Sequence, residues 1–285
     1  MSQKILASEL ILNPDGSVYH LNLFPHEIAD LILLVGDPER VPQISKHFDR
    51  IDLKRQKREF VTHTGSIGSR QISVISTGIG TDNIDIVLNE LDILANVDLS
   101  NREIKSHNRD LFLVRVGTSG ALQPDIEVDS MLVSTHGLGL DNLLWYYQLE
   151  HDADVKYLAE ELGLDFVKPY LFNASEELLN KFDEKSLRGI TATCSGFYGA
   201  QGRQLRKPIS EPNLVAKLGK ININGKRVTN FEMETAAIFG LSKLFGFKAI
   251  AINAIVANRV NHTFSKNGLQ TIENTIRYTL DCLLK

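Results

Sequence analysis

Short apolar runs bounded by Gly, Pro or Asp recur along the chain, at residues 31–35, 72–76, 111–116, 131–134, 190–194 and 249–256. Most are too short for helices and predict strands. Between them, apolar positions with helical spacing predict helices over 39–48, 83–95, 142–162, 175–182, 233–245 and 269–284. This alternation predicts an α/β fold, with a mixed, largely parallel central sheet flanked by helices. No internal repeat, low-complexity tract or Pro/Gly/Ser-rich linker divides the chain, so residues 1–285 are expected to form a single domain. The most polar interruption, 96–110, reads as an insertion, an exposed excursion or an extended helix end just ahead of a strong strand.

Composition narrows the functional classes. The 31 basic and 35 acidic residues leave a net charge of −4, so no global field favours nucleic acid or an anionic membrane. Any anion must be held by local groups. The longest apolar run, 247–257, contains Lys248 and Asn253 and is far short of the roughly 20 residues that span a bilayer. Residues 1–16 mix Lys4, Glu9 and Asp15 with apolar positions and do not read as a signal peptide, so a cytoplasmic protein is expected. Cys194 and Cys282 stand in separate segments without metal-ligand spacing, and the eight histidines form no metal motif. No metal and no organic cofactor are therefore expected.

Several segments carry candidate chemistry. Val35-Gly36-Asp37-Pro38-Glu39-Arg40 runs from a strand through glycine into a helix start, where Asp37 can cap and Pro38 suits the first turn. Backbone amides there outline an anion site, although any strand-to-helix turn looks similar. Arg115 sits inside an apolar run, and a cation taken out of water needs a buried anion, either a carboxylate from elsewhere or a phosphate gripped by two parallel hydrogen bonds. Thr118 could add a hydroxyl. Arg58-Glu59-Phe60 alone reads as a solvated face. Phe197 to Arg203 combines aromatic faces, glycines, the Gln201 amide and the Arg203 guanidinium, which suits either a surface loop or the imide edge of uracil. Glu232 and Glu234 precede a helical run, where acids commonly complement the helix dipole; two residues apart, they should have different roles. Thr77-Gly78-Ile79-Gly80 lacks the third glycine of a dinucleotide fingerprint.

In this order, Val35 to Arg40, Arg115-Val116-Gly117-Thr118-Ser119-Gly120, Phe197 to Arg203 and Asn230-Phe231-Glu232-Met233-Glu234 resemble the nucleoside phosphorylase family of the hexameric type, closest to its uridine phosphorylases. The resemblance implies that Gly36, Arg40, Arg115 and Thr118 hold inorganic phosphate as co-substrate, with Arg58 reaching across from a neighbouring subunit. It implies that Met233 and Glu234 hold ribose and that His20 serves the sugar 5′-hydroxyl of an adjacent protomer. Gln201 and Arg203 would read the base, Phe197 would stack on it, and Val256 and Ala257 would wall it. Arg115, Arg203 and Gln201 are the residues it gives to catalysis. A homo-oligomer with shared sites, a hexamer built from dimers, is expected.

Purine-specific relatives place an aspartate after the late strand; here Ile255-Val256-Ala257-Asn258-Arg259 has no acid, which implies pyrimidine specificity. Retention of Arg40, Arg58 and Arg115 implies phosphate rather than water as nucleophile. The alternatives are a purine or broad-specificity phosphorylase and a non-catalytic nucleoside-binding protein. The sequence departs from the family at Thr81-Asp82-Asn83, at Gly199-Ala200 and at 96–110. Some relatives bind potassium between subunits through a residue matching Glu59, and Asn83 replaces a serine ligand there.

Overall fold

A computed structural model describes residues 4–151, 154–183 and 186–285. The chain folds as two compact units, residues 1–114 with 245–248 and residues 115–244 with 249–285. Both alternate strands and helices, which gives the α/β architecture expected from the pattern.

In the first unit, β1 (Leu31–Val35) is apolar and buried at every position, as a strand covered on both faces must be. After it come α1 (Arg40–Ser45), β2 (Arg50–Lys57), β3 (Phe60–Ile67), β4 (Arg70–Ser76) and α2 (Thr81–Asn96). β1 pairs parallel with β4, while β2, β3 and β4 form antiparallel hairpins. Asp37 accepts the Glu39 amide at 2.9 Å but does not cap α1, whose N-cap is Glu39. α2 buries Ile84, Val87, Leu88, Leu91 and Leu94 along one stripe, and Glu90 lies buried among them.

The stretch 96–110 carries a small hairpin of β5 (Val97–Asp98) and β6 (Glu103–Ile104), and from residue 98 onward every position is exposed or half-buried. It is tied down on several sides: Lys105 Nζ donates to the Ala95 carbonyl at 2.9 Å, Arg102 to Leu10 O, and Arg109 to Asp30 and to the carbonyls of Pro25 and Ile28.

β7 (Phe112–Ala121) gives its residues from Arg115 onward to the second unit. That unit continues with β8 (Met131–Gly139), α3 (Asp154–Leu162), β9 (Tyr170–Asn173), α4 (Glu176–Leu179), β10 (Leu187–Thr193), α5 (Leu214–Lys220), β11 (Asn222–Ile223), β12 (Lys226–Glu232), α6 (Thr235–Phe245), β13 (Lys248–Asn258), β14 (Thr263–Phe264) and α7 (Gly268–Leu284). β8, β10 and β12 run parallel in that order, whereas β13 lies antiparallel to β8 and β12 antiparallel to β7. Within each unit, parallel and antiparallel pairings are thus mixed, as expected. The antiparallel share is larger than the pattern suggests, because hairpins such as β2–β3 in the first unit and β11–β12 in the second have polar strands that the apolar-run signal does not register.

Several expected helices are shorter than their patterns, among them α1, which spans Arg40–Ser45 of the expected 39–48. Over 142–162 only α3 is α-helical; Asn142 adopts a left-handed φ of 68°, a short 3-10 turn follows at Leu143–Tyr146, and residues 152–153 lie outside the described residues. Over 175–182 the helix is Glu176–Leu179, closed by Arg188 donating to the Phe182 carbonyl at 2.9 Å. α6 begins at Thr235 rather than Met233, with consequences for both acids before it.

Candidate active site

Arg115 is the centre of the second unit's polar interior. β7 places it at 4 % exposure, where its charge requires partners. Two carboxylates meet it: Glu232 Oε2 accepts from Nε at 3.1 Å, and Glu234 Oε2 accepts from Nη2. Burial works against the charge, and the two carboxylates more than offset it, leaving the Arg115 pKa above its ordinary value. Nη1 of the same guanidinium is buried with no acceptor among the described residues. A buried N–H of this kind is costly unless a ligand supplies an oxygen. Gly117 leaves room for the folded-back guanidinium, since a Cβ there would lie 3.2 Å from Arg115 Nε.

The two acids do have different roles, but for a reason other than helical facing. Glu232 ends β12, so it is not in the first turn of a helix. Its carboxylate accepts from Thr193 Oγ1 at 2.7 Å and from the amides of Glu234 and Thr235 at 3.0 Å, besides Arg115. It satisfies the first amides of α6 from the strand end and is consumed by protein donors. Glu234, held between that strand and α6 at 3 % exposure, is the acid that faces Arg115 Nη2. Met233 beside it is half-buried, as is Thr118 on β7. The neighbouring Ser119 hydroxyl accepts from Asn230 Nδ2 at 2.8 Å, which anchors β7 to β12.

The segment after β10 forms a short 3-10 turn at Gly199–Gln201, ended by Gly202 at φ 65°. This brings Gln201 and Arg203 side by side: Arg203 Nη1 donates to Gln201 Oε1 and, at 2.6 Å, to the Phe197 carbonyl. The Arg203 guanidinium lies 3.9 Å from the centre of the Phe197 ring, and Phe197 is 52 % exposed. Partial burial, reinforced by Arg259, pulls the Arg203 pKa down to about 10, which still leaves the group charged at neutral pH. Val256 is half-buried and Ala257 buried on β13.

Sequence reading missed Arg259 and Phe231 here. Arg259 donates to the Gln201 carbonyl at 3.1 Å, and its guanidinium lies 5.3 Å from the Phe231 ring, so it braces the turn that carries Gln201. The signal was a second cation directly after the long strand.

In the first unit, Gly36 follows β1, and a Cβ on it would approach the Gly78 carbonyl to 3.4 Å. Both glycines stand beyond the carboxyl ends of parallel strands, where ligands bind in open α/β sheets. Arg40 opens α1 and is half-buried. Arg58 is exposed at the tip of the β2–β3 hairpin with a φ of 54°, an uncommon conformation for a residue with a side chain. Arg58 and His20 share Tyr19: the Arg58 guanidinium lies 5.9 Å from the Tyr19 ring centre, and the His20 ring meets Tyr19 edge-on at 4.9 Å. The two residues that the resemblance sends towards a neighbouring copy therefore belong to one cluster. Glu59 accepts from Asn83 at 3.4 Å, and among the described residues no three His, Cys, Asp or Glu side chains gather as a metal site.

Residues 30–282 match the phosphorylase superfamily. The chain belongs to that superfamily. A uridine phosphorylase of Thermococcus kodakarensis is 34 % identical over 272 residues, covering 94 % of this chain and 87 % of the relative. The crystal structure of a Trypanosoma brucei nucleoside phosphorylase described as showing uridine phosphorylase activity superposes with a TM-score of 0.87 at 31 % identity, over 96 % of this chain and 99 % of that one. A DeoD-type purine nucleoside phosphorylase of Listeria welshimeri is also similar, 27 % identical over 82 % of this chain and 84 % of its own. Superfamily membership therefore leaves the choice of base to the side chains. Among the described residues, no helix of this phosphorylase-superfamily chain is long and apolar enough to cross a membrane.

Proposed function

We propose that the protein is a uridine phosphorylase, a pentosyltransferase that converts uridine and inorganic phosphate reversibly into uracil and ribose 1-phosphate. The observation that carries this reading is the Gln201–Arg203 pair beside the exposed face of Phe197. An amide offers one donor and one acceptor edge and a guanidinium only donors, which matches the O2, N3–H and O4 edge of uracil. The end of β13 and Arg259 after it, residues 255–259, have no acid to protonate a purine.

In this reading, Arg115 turns Nη1 and Thr118 its hydroxyl to phosphate, while Glu234 and Met233 hold the ribose through its hydroxyls and its apolar face. Phe197 stacks on the base against Val256 and Ala257. The C1′–N1 bond lengthens, leaving positive charge on the sugar and negative charge on the pyrimidine. A phosphate oxygen attacks C1′ from the opposite face, and N1 of the departing uracil takes up the proton that hydrogen phosphate gives up on forming the ester. Arg115 keeps the anionic nucleophile in place, and Arg203 with Gln201 stabilises charge on the leaving base. No organic cofactor and no metal enter this scheme. In the first unit, Gly36, Arg40 and Arg58 are assigned to phosphate and His20 to the sugar 5′-hydroxyl, each a separate proposal. A homo-oligomer, a hexamer built from dimers that share Arg58 and His20, and a cytoplasmic location in pyrimidine salvage complete it.

The purified protein, offered uridine, deoxyuridine, thymidine and inosine with phosphate, is expected to release free base from uridine and to leave inosine intact. Comparable release of hypoxanthine would replace this reading by a broad-specificity phosphorylase. Tight nucleoside binding without any product would replace it by a binding protein.

A further inference from the structure

Glu90 is an acid in the wrong place for a solvated helix. It lies on the apolar stripe of α2, and its side chain is only 9 % exposed. A carboxylate buried there must be satisfied by donors, and among the described residues those it has come from one short stretch of chain. The His20 amide donates to Oε1 at 2.7 Å, His20 Nδ1 to the same oxygen at 2.8 Å, and the Leu21 amide to Oε2 at 2.7 Å. A carboxylate only accepts, so Nδ1 carries the proton, and Nε2 of a neutral ring is then an acceptor. Edge-on contacts with Tyr19 and Phe60 hold the ring plane. The His20 side chain remains 26 % exposed, and among the described residues no group bonds its Nε2.

We propose that Glu90 is a positioning residue that locks His20 in the Nδ1–H form, so that the site selects nucleosides able to donate a hydrogen bond from the sugar 5′ position. The proposal rests on the assignment of His20 to that hydroxyl. It goes further in stating the direction of the bond: the 5′-hydroxyl donates and Nε2 accepts. Glutamine at position 90 cannot reproduce this pattern. With its oxygen towards His20, its NH2 opposes the Leu21 amide; with its oxygen towards Leu21, its NH2 opposes the His20 amide and forces Nδ1 to accept, which moves the ring proton to Nε2.

The test compares uridine with its analogue carrying fluorine in place of the 5′-hydroxyl, which is nearly isosteric and cannot donate. It is paired with nitrogen NMR of the His20 ring in the wild-type protein at a pH where the ring is neutral. The proposal expects an unprotonated Nε2 and a kcat/KM ratio favouring uridine by about tenfold, the scale of one lost hydrogen bond. It expects that ratio to fall towards unity in Glu90→Gln with the phosphate KM unchanged. A proton on Nε2 in the wild type, or a full ratio retained in a folded Glu90→Gln, would overturn it. Wild-type indifference to the fluorine would remove His20 from the 5′ position and the proposal with it. Failure to release uracil from uridine at all would instead count against the phosphorylase reading, while the ring-proton measurement would still judge Glu90.

Discussion

Replacing Arg115 by alanine is expected to lower kcat/KM for phosphate by a factor on the order of 100 to 1000, the usual cost of deleting one preorganised donor from a charge-stabilising site. The same change leaves Glu232 and Glu234 buried without their cation, and stranding a buried charge costs about 3–5 kcal/mol. Set against a typical total stability of about 5–15 kcal/mol, this should appear as a melting temperature lower by about 10 °C. The two losses can be separated. Adding Glu234→Gln to Arg115→Ala removes one of the stranded carboxylates, so part of the stability should return while phosphate use does not. Arg115→Lys keeps a charge, but one ammonium cannot span both acids and a ligand as the fork does, so it should rescue stability better than activity. A folded Arg115→Ala with near-normal kcat/KM at limiting phosphate would take Arg115 out of the reaction.

The second large effect is expected at Arg203. Its guanidinium is stacked on Phe197 and bonded to Gln201, and half of its environment is open, so its removal should hardly change the melting temperature. It should lower kcat/KM for uridine by about 10- to 100-fold, the equivalent of a hydrogen bond from a charged group at about 1.5–3 kcal/mol. The KM for phosphate should stay near the wild-type value. Arg203→Lys should recover little, because the planar face over the ring and the paired N–H groups are lost together. Equal losses in phosphate and nucleoside use would show that the residue supports the fold of the loop and not the reading of the base.

The parts of the fold that were legible in the sequence are those whose strands are buried on both faces. β1 reads Leu-Ile-Leu-Leu-Val and cannot be mistaken. β2 and β3 were not legible. β2 alternates half-buried and exposed positions, with charged residues at five of its eight, and β3 buries Thr62, His63 and Thr64 among its polar residues. Those buried polar groups are satisfied by side chains distant in sequence: Thr64 meets Ser73 at 2.7 Å and His63 meets Ser45 at 2.7 Å, which no periodicity reveals. The pattern over 142–162 failed for a different reason. Leu144, Tyr147, Val155, Leu158 and Leu162 keep helical spacing, but Asn142 uses its amide to bond Phe166 O and Lys168 N across a loop, which opens the helix start.

The candidate site was legible where a residue contradicts its surroundings. Arg115 in an apolar strand is such a case: of the two partners the sequence leaves open, carboxylates take Nε and Nη2, and Nη1 has no acceptor among the described residues. Glu90 gave the same kind of signal on an apolar helix stripe and was passed over, because its donors are mostly backbone amides. Glu232 and Glu234 are legible as a pair, but their division of labour depends on β12 ending at Glu232, between the two acids, which spacing alone does not place. Arg259 was hidden because its contact is with a carbonyl oxygen, and any residue has one.

The measurement that tests the central claim most directly is uracil release from uridine by the purified protein, with and without inorganic phosphate. The account predicts release that depends on phosphate, with ribose 1-phosphate formed in equal amount. Equal release without phosphate, yielding free ribose, would contradict it by making water the nucleophile.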